Sequence, residues 1–527
     1  MRGEFACVNM LVAALMAIGP TIAGAPADAQ TSDPQSCERL SALHLSGGTI
    51  RVAQAVAAGA FTLPAVRDGD SAPRVNPVVF HRLPAFCRVA ATLTPSSDSH
   101  INIEVWMPIA GWNGKFEAVG NGGWAGRINY ALYGESLSSE IQRGYATAST
   151  DTGHVGQADF DVSFALGHPE QIVDFGYRAV HEMTIAAKAI VEAYYRRPPT
   201  RSYWKGCSTG GRQGLMEAQR YPEDYDGIIA GAPANYWTHL MTRGLWTFRA
   251  EAKNPATILP REKAAVLHAA VINACDALDG VKDGIIEDPS RCHFDPATLA
   301  CTGDDRPDCL TAAQLEGVRT IYEPARNPRT GADIFPGFER GSELSWDVFR
   351  GIKPDYFTNV VFADPRWDYT TFDFDSGVAL ADRRDDGVIN AVDPNLRPFF
   401  SRGGKLLMFH GWSDPAIAPR NTIQYYESVA RALGNDAVAG SMRLFMVPGM
   451  VHCDMTGSEG ANQFDTVEAL DRWVEQHQPP VRFVASHRPR GGTADHRTHA
   501  LCPYPQVAVY GGSGSDTDAA NFVCKVP

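Results

Sequence analysis

A serine flanked by glycines is the first group in this sequence that has the setting of a covalent catalyst. Gly206, Ser208 and Gly210 form a Gly-x-Ser-x-Gly pattern that follows the strand-like residues Tyr203 and Trp204 and precedes a segment of helical character. In such a strand–turn–helix unit the glycines permit a sharp turn that presents the serine hydroxyl at the end of a sheet. Ser208 is therefore predicted to be a nucleophile. Without the flanking elements the same pattern would indicate an ordinary glycine-rich loop.

A serine hydroxyl is a weak nucleophile and needs a base that a carboxylate orients. Asp414 and His452 each follow a predicted strand, and they come after Ser208 in the order serine, aspartate, histidine that α/β-hydrolases use. These three residues are the predicted catalytic triad. Asp226 and Asp454 remain alternative acids. Asp414 would otherwise cap the helix that follows it, and His452 would otherwise be a loop histidine without a partner.

An acyl-transfer site also needs N–H groups that stabilise an oxyanion. Thr209, directly after the predicted nucleophile, offers one backbone N–H. The predicted strand Phe116–Val119 leads into a loop of sequence Gly-Asn-Gly-Gly-Trp at residues 120–124. We predict Gly123 as the second donor, with Gly122 as the alternative. If neither donates, the loop is a plain turn.

The elements that must position these residues are strands alternating with helices. Short apolar strands are predicted at 203–204, 227–230, 405–409 and 443–447, and helices at about 421–433 and 463–476. This alternation is typical of a mostly parallel sheet with helices on both faces, which predicts the α/β-hydrolase fold. Residues 30–238 and 393–527 are predicted to be the two parts of the catalytic domain. Residues 239–392 lack the alternation and are predicted to be an inserted lid domain.

Composition and charge narrow the possible partners. The chain has 527 residues, of which 44% are hydrophobic and 20% charged, as in ordinary globular proteins. The formal net charge is −13 and the basic residues are scattered, so nucleic acid is not an expected partner.

The N-terminus has the features of a cleaved secretory signal at residues 1–29. Arg2 precedes an apolar stretch at 8–22, and Ala27-Asp28-Ala29 is a small-x-small cleavage site before Gln30. The alternative is a membrane anchor, but Pro20 interrupts a stretch that is already short for a bilayer span. We therefore expect a secreted or periplasmic protein with no membrane segment after the signal is removed.

Removal of the signal would leave ten of the eleven cysteines, because only Cys7 lies within it. An even number in an exported chain suggests disulfides, although the count alone does not fix the pairs. Cys207 precedes Ser208 and Cys453 follows His452, so these two cysteines could bond if the predicted nucleophile and base meet. The alternative, Cys207 as a nucleophile or metal ligand, fits an oxidising compartment poorly.

An acidic loop in the predicted lid has the composition of a calcium site. Asp276, Asp279 and Asp283 are interleaved with glycines that allow the chain to wrap around an ion. Carboxylate and carbonyl oxygens suit Ca²⁺ rather than zinc. The spacing departs from the EF-hand, and a solvated acidic turn is the alternative.

Taken together, these motifs resemble the tannase and feruloyl esterase family. The resemblance rests on Gly-Cys-Ser-Thr-Gly-Gly at 206–211, His-Gly-Trp-Ser-Asp at 410–414 and His-Cys at 452–453, and it extends to segments 120–124 and 221–233 and to the acidic loop. It covers nearly the whole mature chain.

The family resemblance also implies particular site residues. It supports the roles of Ser208, Asp414 and His452, and it implies a Ca²⁺ with a structural role in the lid. The side chains of Asp276, Asp279 and Asp283 and the carbonyls of Val281 and Ile285 would bind this ion. The disulfides implied are Cys207–Cys453, Cys37–Cys87, Cys275–Cys292, Cys301–Cys309 and Cys502–Cys524, which use all ten cysteines.

The function implied is that of a secreted serine esterase that forms an acyl-enzyme with small aromatic esters, of the kind found in plant cell walls. Feruloyl and other hydroxycinnamoyl esters are the first expectation, galloyl esters the second and terephthalate monoesters the third. The predicted lid aromatics could contact the substrate ring or form the core of the lid; they are Tyr356, Phe357, Trp367, Phe372 and Phe374. A contrasting class, a catalytically dead binding protein on a hydrolase scaffold, is disfavoured because no triad residue is missing. The sequence does not indicate the oligomeric state.

Overall fold

The computed structural model describes residues 35–64, 75–131, 135–156, 160–348, 354–454, 458–488 and 496–527. The predicted signal at 1–29, including Cys7, lies outside the described residues. Within the described part of the chain, every helix falls short of the length and hydropathy needed to cross a bilayer.

A nine-stranded sheet forms the centre of the molecule, in the order β1-β2-β3-β5-β4-β6-β7-β10-β11. In this order, the six strands β5, β4, β6, β7, β10 and β11 run parallel to one another. Strands β1, β2 and β3 form an antiparallel edge. The bounds are β1 Gly48–Val56, β2 Phe86–Leu93, β3 Ile101–Pro108, β4 Phe116–Val119, β5 Ala146–Thr150, β6 Ser202–Cys207, β7 Gly227–Gly231, β10 Lys405–Gly411 and β11 Met442–Val447. Three further pairs lie outside this sheet: β8 Ala325–Arg326 with β9 Asp333–Phe335, β12 Phe483–Ser486 with β13 Thr498–Leu501, and β14 Val507–Tyr510 with β15 Phe522–Lys525.

Helices cover both faces of the sheet. Ile228 packs with residues of α4 (Ala179–Tyr195), α5 (Thr209–Arg220) and α11 (Pro419–Leu433) on one face. The next residue, Ile229, packs with residues of α13 (Thr466–Gln476) on the other face. Such continuous apolar strands are expected when both faces are buried. The helices are α1 Gln35–Glu38, α2 Leu137–Gln142, α3 Pro169–Val173, α4 Ala179–Tyr195, α5 Thr209–Arg220, α6 Trp237–Lys253, α7 Arg261–Cys275, α8 Ala312–Tyr322, α9 Ser376–Asp385, α10 Arg397–Ser401, α11 Pro419–Leu433, α12 Asn435–Ser441 and α13 Thr466–Gln476. The predicted α/β-hydrolase architecture is confirmed.

Several element boundaries differ from those predicted, for local reasons. Helix α11 begins at Pro419 rather than Asn421, because proline suits the first turn of a helix, where an N–H has no partner. Helix α13 begins at Thr466 rather than Gln463, because the side chain of Asp465 accepts a hydrogen bond from the N–H of Glu468 and caps the helix.

The segment predicted as a lid consists of helices α6 to α9 and the β8–β9 pair, so it lacks the strand–helix alternation of the flanking parts. Its helices α7 and α8 share a core that includes Leu267 and Val318. The boundaries at 239 and 392 remain a prediction, and α6 begins two residues earlier, at Trp237.

A buried histidine joins this segment to the loop that follows the predicted catalytic histidine. His268 on α7 contacts Glu343 through Nδ1 at 2.7 Å and Glu459 through Nε2 at 3.2 Å. Burial alone would lower the pKa of His268, but the two glutamates raise it to about 10. This histidine is therefore charged at neutral pH and bridges the two parts of the chain.

Candidate active site

Ser208 lies at the sharp turn between the last residue of β6 and the first residue of α5. Its backbone has φ 63° and ψ −121°, a conformation that non-glycine residues rarely adopt and that persists where its surroundings enforce it. The flanking glycines are required by space, because a Cβ on Gly206 would lie 2.5 Å from the carbonyl carbon of Gly210. A Cβ on Gly120 would lie 2.5 Å from the Cα of Gly210. The Gly-x-Ser-x-Gly pattern thus reflects close packing of the turn against the 120–124 loop.

Asp414 and His452 come together at the same end of the sheet. His452 Nδ1 lies 2.6 Å from Asp414 Oδ2, and both residues are buried. Asp226, one of the alternative acids, lies at the opposite end of β6, where its carboxylate accepts from the N–H of Ser202 at 2.9 Å. The side chain of Asp454, the other alternative, lies outside the described residues.

Four N–H groups converge on the fully buried carboxylate of Asp414. Besides His452, the donors are His410 Nε2 at 3.0 Å and the backbone N–H groups of Ala416 at 2.7 Å and Ile417 at 2.9 Å. Burial alone would raise the pKa of Asp414, but the charge of His452 and the hydrogen bonds from both histidines hold it well below its usual range. Asp414 is therefore an anion at neutral pH. It orients His452 rather than capping α11, so the alternative of a helix cap is wrong.

His410 is a site residue that the sequence analysis missed. Its Nε2 contacts both Asp414 Oδ2 and the carbonyl of Ile417, so this nitrogen carries the proton, and Nδ1 accepts from the hydroxyl of Thr422 at 2.7 Å. The residue stands four positions before Asp414 in the His-Gly-Trp-Ser-Asp motif. A second histidine so close to the predicted acid was a usable signal.

A disulfide holds the neighbours of Ser208 and His452 together. Cys207 and Cys453 are bonded, with their Cα atoms 5.8 Å apart, and Ser208 and His452 line one cavity. The other four disulfides are also those that the family resemblance implied, Cys37–Cys87, Cys275–Cys292, Cys301–Cys309 and Cys502–Cys524. All five implied disulfides are thus present in the structure.

The loop at residues 120–124 packs against the start of α5. Gly210 N–H donates to the carbonyl of Asn121 at 2.8 Å, and the hydroxyl of Thr209 donates to the carbonyl of Gly123. Thr209 is the first residue of α5, where a backbone N–H has no acceptor within the helix. Gly123 (φ 56°) and Gly122 both line the cavity of Ser208. The assignment of Thr209 and of Gly123 rather than Gly122 as oxyanion donors remains a prediction.

The cavity above Ser208 is mostly apolar and has a volume of about 290 Å³. The predicted lid aromatics divide into two groups. Tyr356 and Phe357 line the cavity, whereas Trp367, Phe372 and Phe374 do not; all five belong to one core cluster of the predicted lid, in which Phe357 packs against Trp367 and Phe372. Other aromatic residues in the lining were not predicted, and two of them lie on α6 while the other four come from three separate loop segments: Trp237 and Phe248 on the helix, and Trp124, Phe160, Phe338 and Trp346 in the loops.

Comparison with known proteins agrees with this geometry. The chain matches the family described as tannase and feruloyl esterase over residues 87–525. It belongs to this family. It is 39% identical to an uncharacterised esterase of Xanthomonas campestris pv. campestris, covering 98% of this chain and 95% of that protein. It is 34% identical to a probable feruloyl esterase B-1 of Aspergillus fumigatus, covering 83% and 85%. The crystal structure of feruloyl esterase B from Aspergillus oryzae superposes with a TM-score of 0.82 at 29% identity, covering 93% of this chain and 100% of that one.

Membership in the tannase and feruloyl esterase family identifies the chain as a carboxylic ester hydrolase, so the alternative of a dead binding protein is not supported.

One acidic residue that lines the cavity of this esterase, Glu135, has a strongly shifted pKa. Burial raises the pKa of Glu135 to about 7, opposed by the charge of Lys205 and reinforced by that of Glu140. Glu135 also interacts electrostatically with His452, so a group that titrates near neutrality lies beside the predicted base.

The acidic loop of the esterase gathers oxygen atoms in a partly buried turn. Asp276 is buried, and Asp279 and Asp283 are half-buried. Burial raises the pKa of Asp279 to about 6, and the charges of Asp283 and Glu287 add to the shift. Ca²⁺ takes six to eight oxygens at about 2.4 Å, so ligands on opposite sides stand about 5 Å apart. The donor set consists of oxygen atoms alone, the chemistry that Ca²⁺ prefers, with the carbonyls of Val281 and Ile285 as further ligands. The calcium site remains a prediction.

Proposed function

We propose that this esterase hydrolyses esters of hydroxycinnamic acids, such as feruloyl esters, through an acyl-enzyme on Ser208. The observation that carries the proposal is that Ser208 and His452 line one cavity with aromatic walls, while Asp414 contacts His452 from behind at 2.6 Å. The feruloyl esterase names of the relatives support a hydroxycinnamoyl acyl group. The cavity supports it independently, because an apolar space with aromatic walls suits a planar phenyl ring.

The hydrogen-bond pattern gives each residue a role in catalysis. Nδ1 of His452 donates to Asp414, so Nε2 has the lone pair that can accept the proton of Ser208 when its oxygen attacks the ester carbonyl. His452 then returns this proton to the departing alcohol, and in the second half-reaction it activates water. Asp414 stays ionised throughout and stabilises the imidazolium. The backbone N–H groups of Thr209 and Gly123 hold the oxyanion.

The lid loop and the compartment complete the proposal. A Ca²⁺ bound by Asp276, Asp279, Asp283 and the carbonyls of Val281 and Ile285 stabilises the lid and takes no part in the chemistry. The enzyme acts outside the cytoplasm, either secreted or periplasmic. Five disulfides support this location, since such bonds persist in oxidising compartments.

The experiment has a nucleophile arm and a substrate arm. Ser208→Ala should lower kcat on a chromogenic ester by at least about a thousandfold, while Ser41→Ala, at an exposed serine, should leave it unchanged. Mass spectrometry after treatment with a fluorophosphonate should place the adduct on the Ser208 peptide. A Ser208→Ala enzyme that retains more than a few per cent of the wild-type activity would overturn the nucleophile.

The substrate arm compares kcat/KM for methyl ferulate, methyl gallate and a terephthalate monoester. The proposal expects methyl ferulate to be the best of the three. A higher value for either of the others would replace the hydroxycinnamoyl assignment and leave the serine mechanism standing.

A further inference from the structure

A histidine and two carboxylates meet on the face of the sheet that helices α4 and α5 cover. His181 lies on α4, Glu217 near the end of α5, and Asp224 in the loop before β7. One ligand atom of each lies within 4.8 Å of those of the other two, and His181 Nδ1 is 2.7 Å from Asp224 Oδ2. Among the residues that the structure describes, this is the one such group of three or more histidine, cysteine or acidic side chains.

Glu217 is the unusual member of this cluster. Its side chain is 1% exposed, and neither carboxylate oxygen receives a hydrogen bond from a donor in the described part of the chain. A buried carboxylate that accepts no hydrogen bond from a donor is costly, so it holds either a proton or a cation. Burial and the neighbouring charge of Asp224 both raise the pKa of Glu217, and a hydrogen bond shared by the two carboxyl groups acts in the same direction.

Lys188 does not donate a hydrogen bond to Glu217 in the structure. Lys188 has an electrostatic influence on Glu217, but its ammonium donates to the backbone carbonyl of Asp224. Both carboxylate oxygens of Glu217 are therefore buried near the imidazole of His181, and no charged group in the described part of the chain donates a hydrogen bond to them.

We propose that His181, Glu217 and Asp224 form a binding site for a divalent transition-metal ion of the Zn²⁺ type. One imidazole nitrogen with two carboxylates is a donor set that Zn²⁺ accepts, whereas Ca²⁺ and Mg²⁺ prefer oxygen alone. His181 is the partly exposed member, with its side chain 23% accessible, so an ion and a water ligand can enter from its side. Binding displaces the proton between His181 and Asp224 and any proton on Glu217.

The role of this ion is structural rather than catalytic. None of the three ligands lines the cavity of Ser208, and Glu217 is nine residues along α5 from it, or about 13 Å at 1.5 Å per residue. The ion would link α4 to the helix that begins directly after the nucleophile. It would thereby stabilise α5, the helix that supports the turn at Ser208, without contacting the substrate.

The test is a Zn²⁺ titration of chelator-treated protein with saturating Ca²⁺ restored, so that the lid loop does not contribute. Calorimetry should give one equivalent of Zn²⁺, with a rise in Tm. In His181→Gln and Glu217→Gln the Kd should rise at least tenfold, and His44→Gln, at an exposed histidine, should behave as wild type. Equal Zn²⁺ affinity in all four proteins would overturn the site.

Wild-type protein provides a second measurement that does not depend on the variants folding. Co²⁺ should produce a visible absorption band that saturates at one equivalent and disappears when Zn²⁺ is added. Absence of such a band, together with a Tm indifferent to Zn²⁺, would show that Glu217 is neutralised by a proton only. Neither readout uses activity, so the result stands apart from the proposed esterase substrate.

Discussion

Removing the disulfide between Cys207 and Cys453, by changing both residues to alanine, should impair catalysis and stability together. In the sheet, β7 and β10 separate β6 from β11. Three strand spacings of about 4.8 Å put the ends of β6 and β11 about 14 Å apart. The Cα atoms of the two cysteines are nonetheless 5.8 Å apart, and Cys453 has the strained φ of 51°. The loop after β11 must therefore reach back across two strand ends, and the disulfide holds it there.

The expected size of both effects follows from the chain. The bond spans 246 residues, for which the chain-entropy relation gives about 5 kcal/mol. An unfolding entropy of about 2.1 cal/mol/K per residue over 527 residues is about 1 kcal/mol/K, so Tm should fall by about 5 °C. A displacement of about 1 Å between catalytic groups costs on the order of a hundredfold in rate, so kcat should fall by about that factor.

The assay measures kcat and Tm of the Cys207→Ala, Cys453→Ala variant, and a variant without the Cys301–Cys309 disulfide is the matched control. The Cys301–Cys309 bond spans only 8 residues, and its double alanine variant should lose about 2 °C in Tm with kcat unchanged. If the Cys207→Ala, Cys453→Ala enzyme turned over normally, the Asp414–His452 contact and local packing alone would hold the loop. The argument from strand spacing would then be refuted.

Three further predictions concern charged groups. Chelation of Ca²⁺ or Asp279→Ala should lower Tm before kcat changes, measured by thermal unfolding with Asp304→Ala as an exposed acidic control, and a Tm indifferent to chelator would exclude the ion. Because the folded-state pKa of His268 is raised to about 10, its stabilisation is complete below about pH 6.5 and is lost as pH rises through about 10. Urea unfolding should show this loss in wild type and not in His268→Gln. Burial raises the pKa of Glu135 to about 7, so the charge of this residue changes near neutrality, and Glu135→Gln should remove a transition near pH 7 from the kcat/KM profile; an unchanged profile would count against an influence of Glu135 on catalysis.

The parts of the site that could be read from the sequence are those encoded in a short segment. The turn at Ser208 is such a case, because only glycine fits at positions 206 and 210. A Cβ there would lie 2.5 Å and 3.2 Å, respectively, from neighbouring backbone atoms. The disulfide partners came instead from the family resemblance. The walls of the cavity could not be predicted, because Trp124 and Phe248 are more than 100 residues apart and only the folded chain brings them to one space. Helix starts were wrong by a few residues where a cap or a proline decided them.

The interactions around Asp414 explain how a full negative charge persists on a fully buried side chain. An isolated buried carboxylate would take up a proton, and then it could not stabilise the imidazolium of His452. Four N–H donors prevent this, and two of them, on Ala416 and Ile417, come from the turn directly after Asp414. His410 supplies another from the preceding strand, and the hydroxyl of Thr422 fixes its tautomer. Segment 410–422 thus supplies both the acid and three of the four groups that keep it ionised, while the aromatic lining of the cavity comes from other parts of the chain.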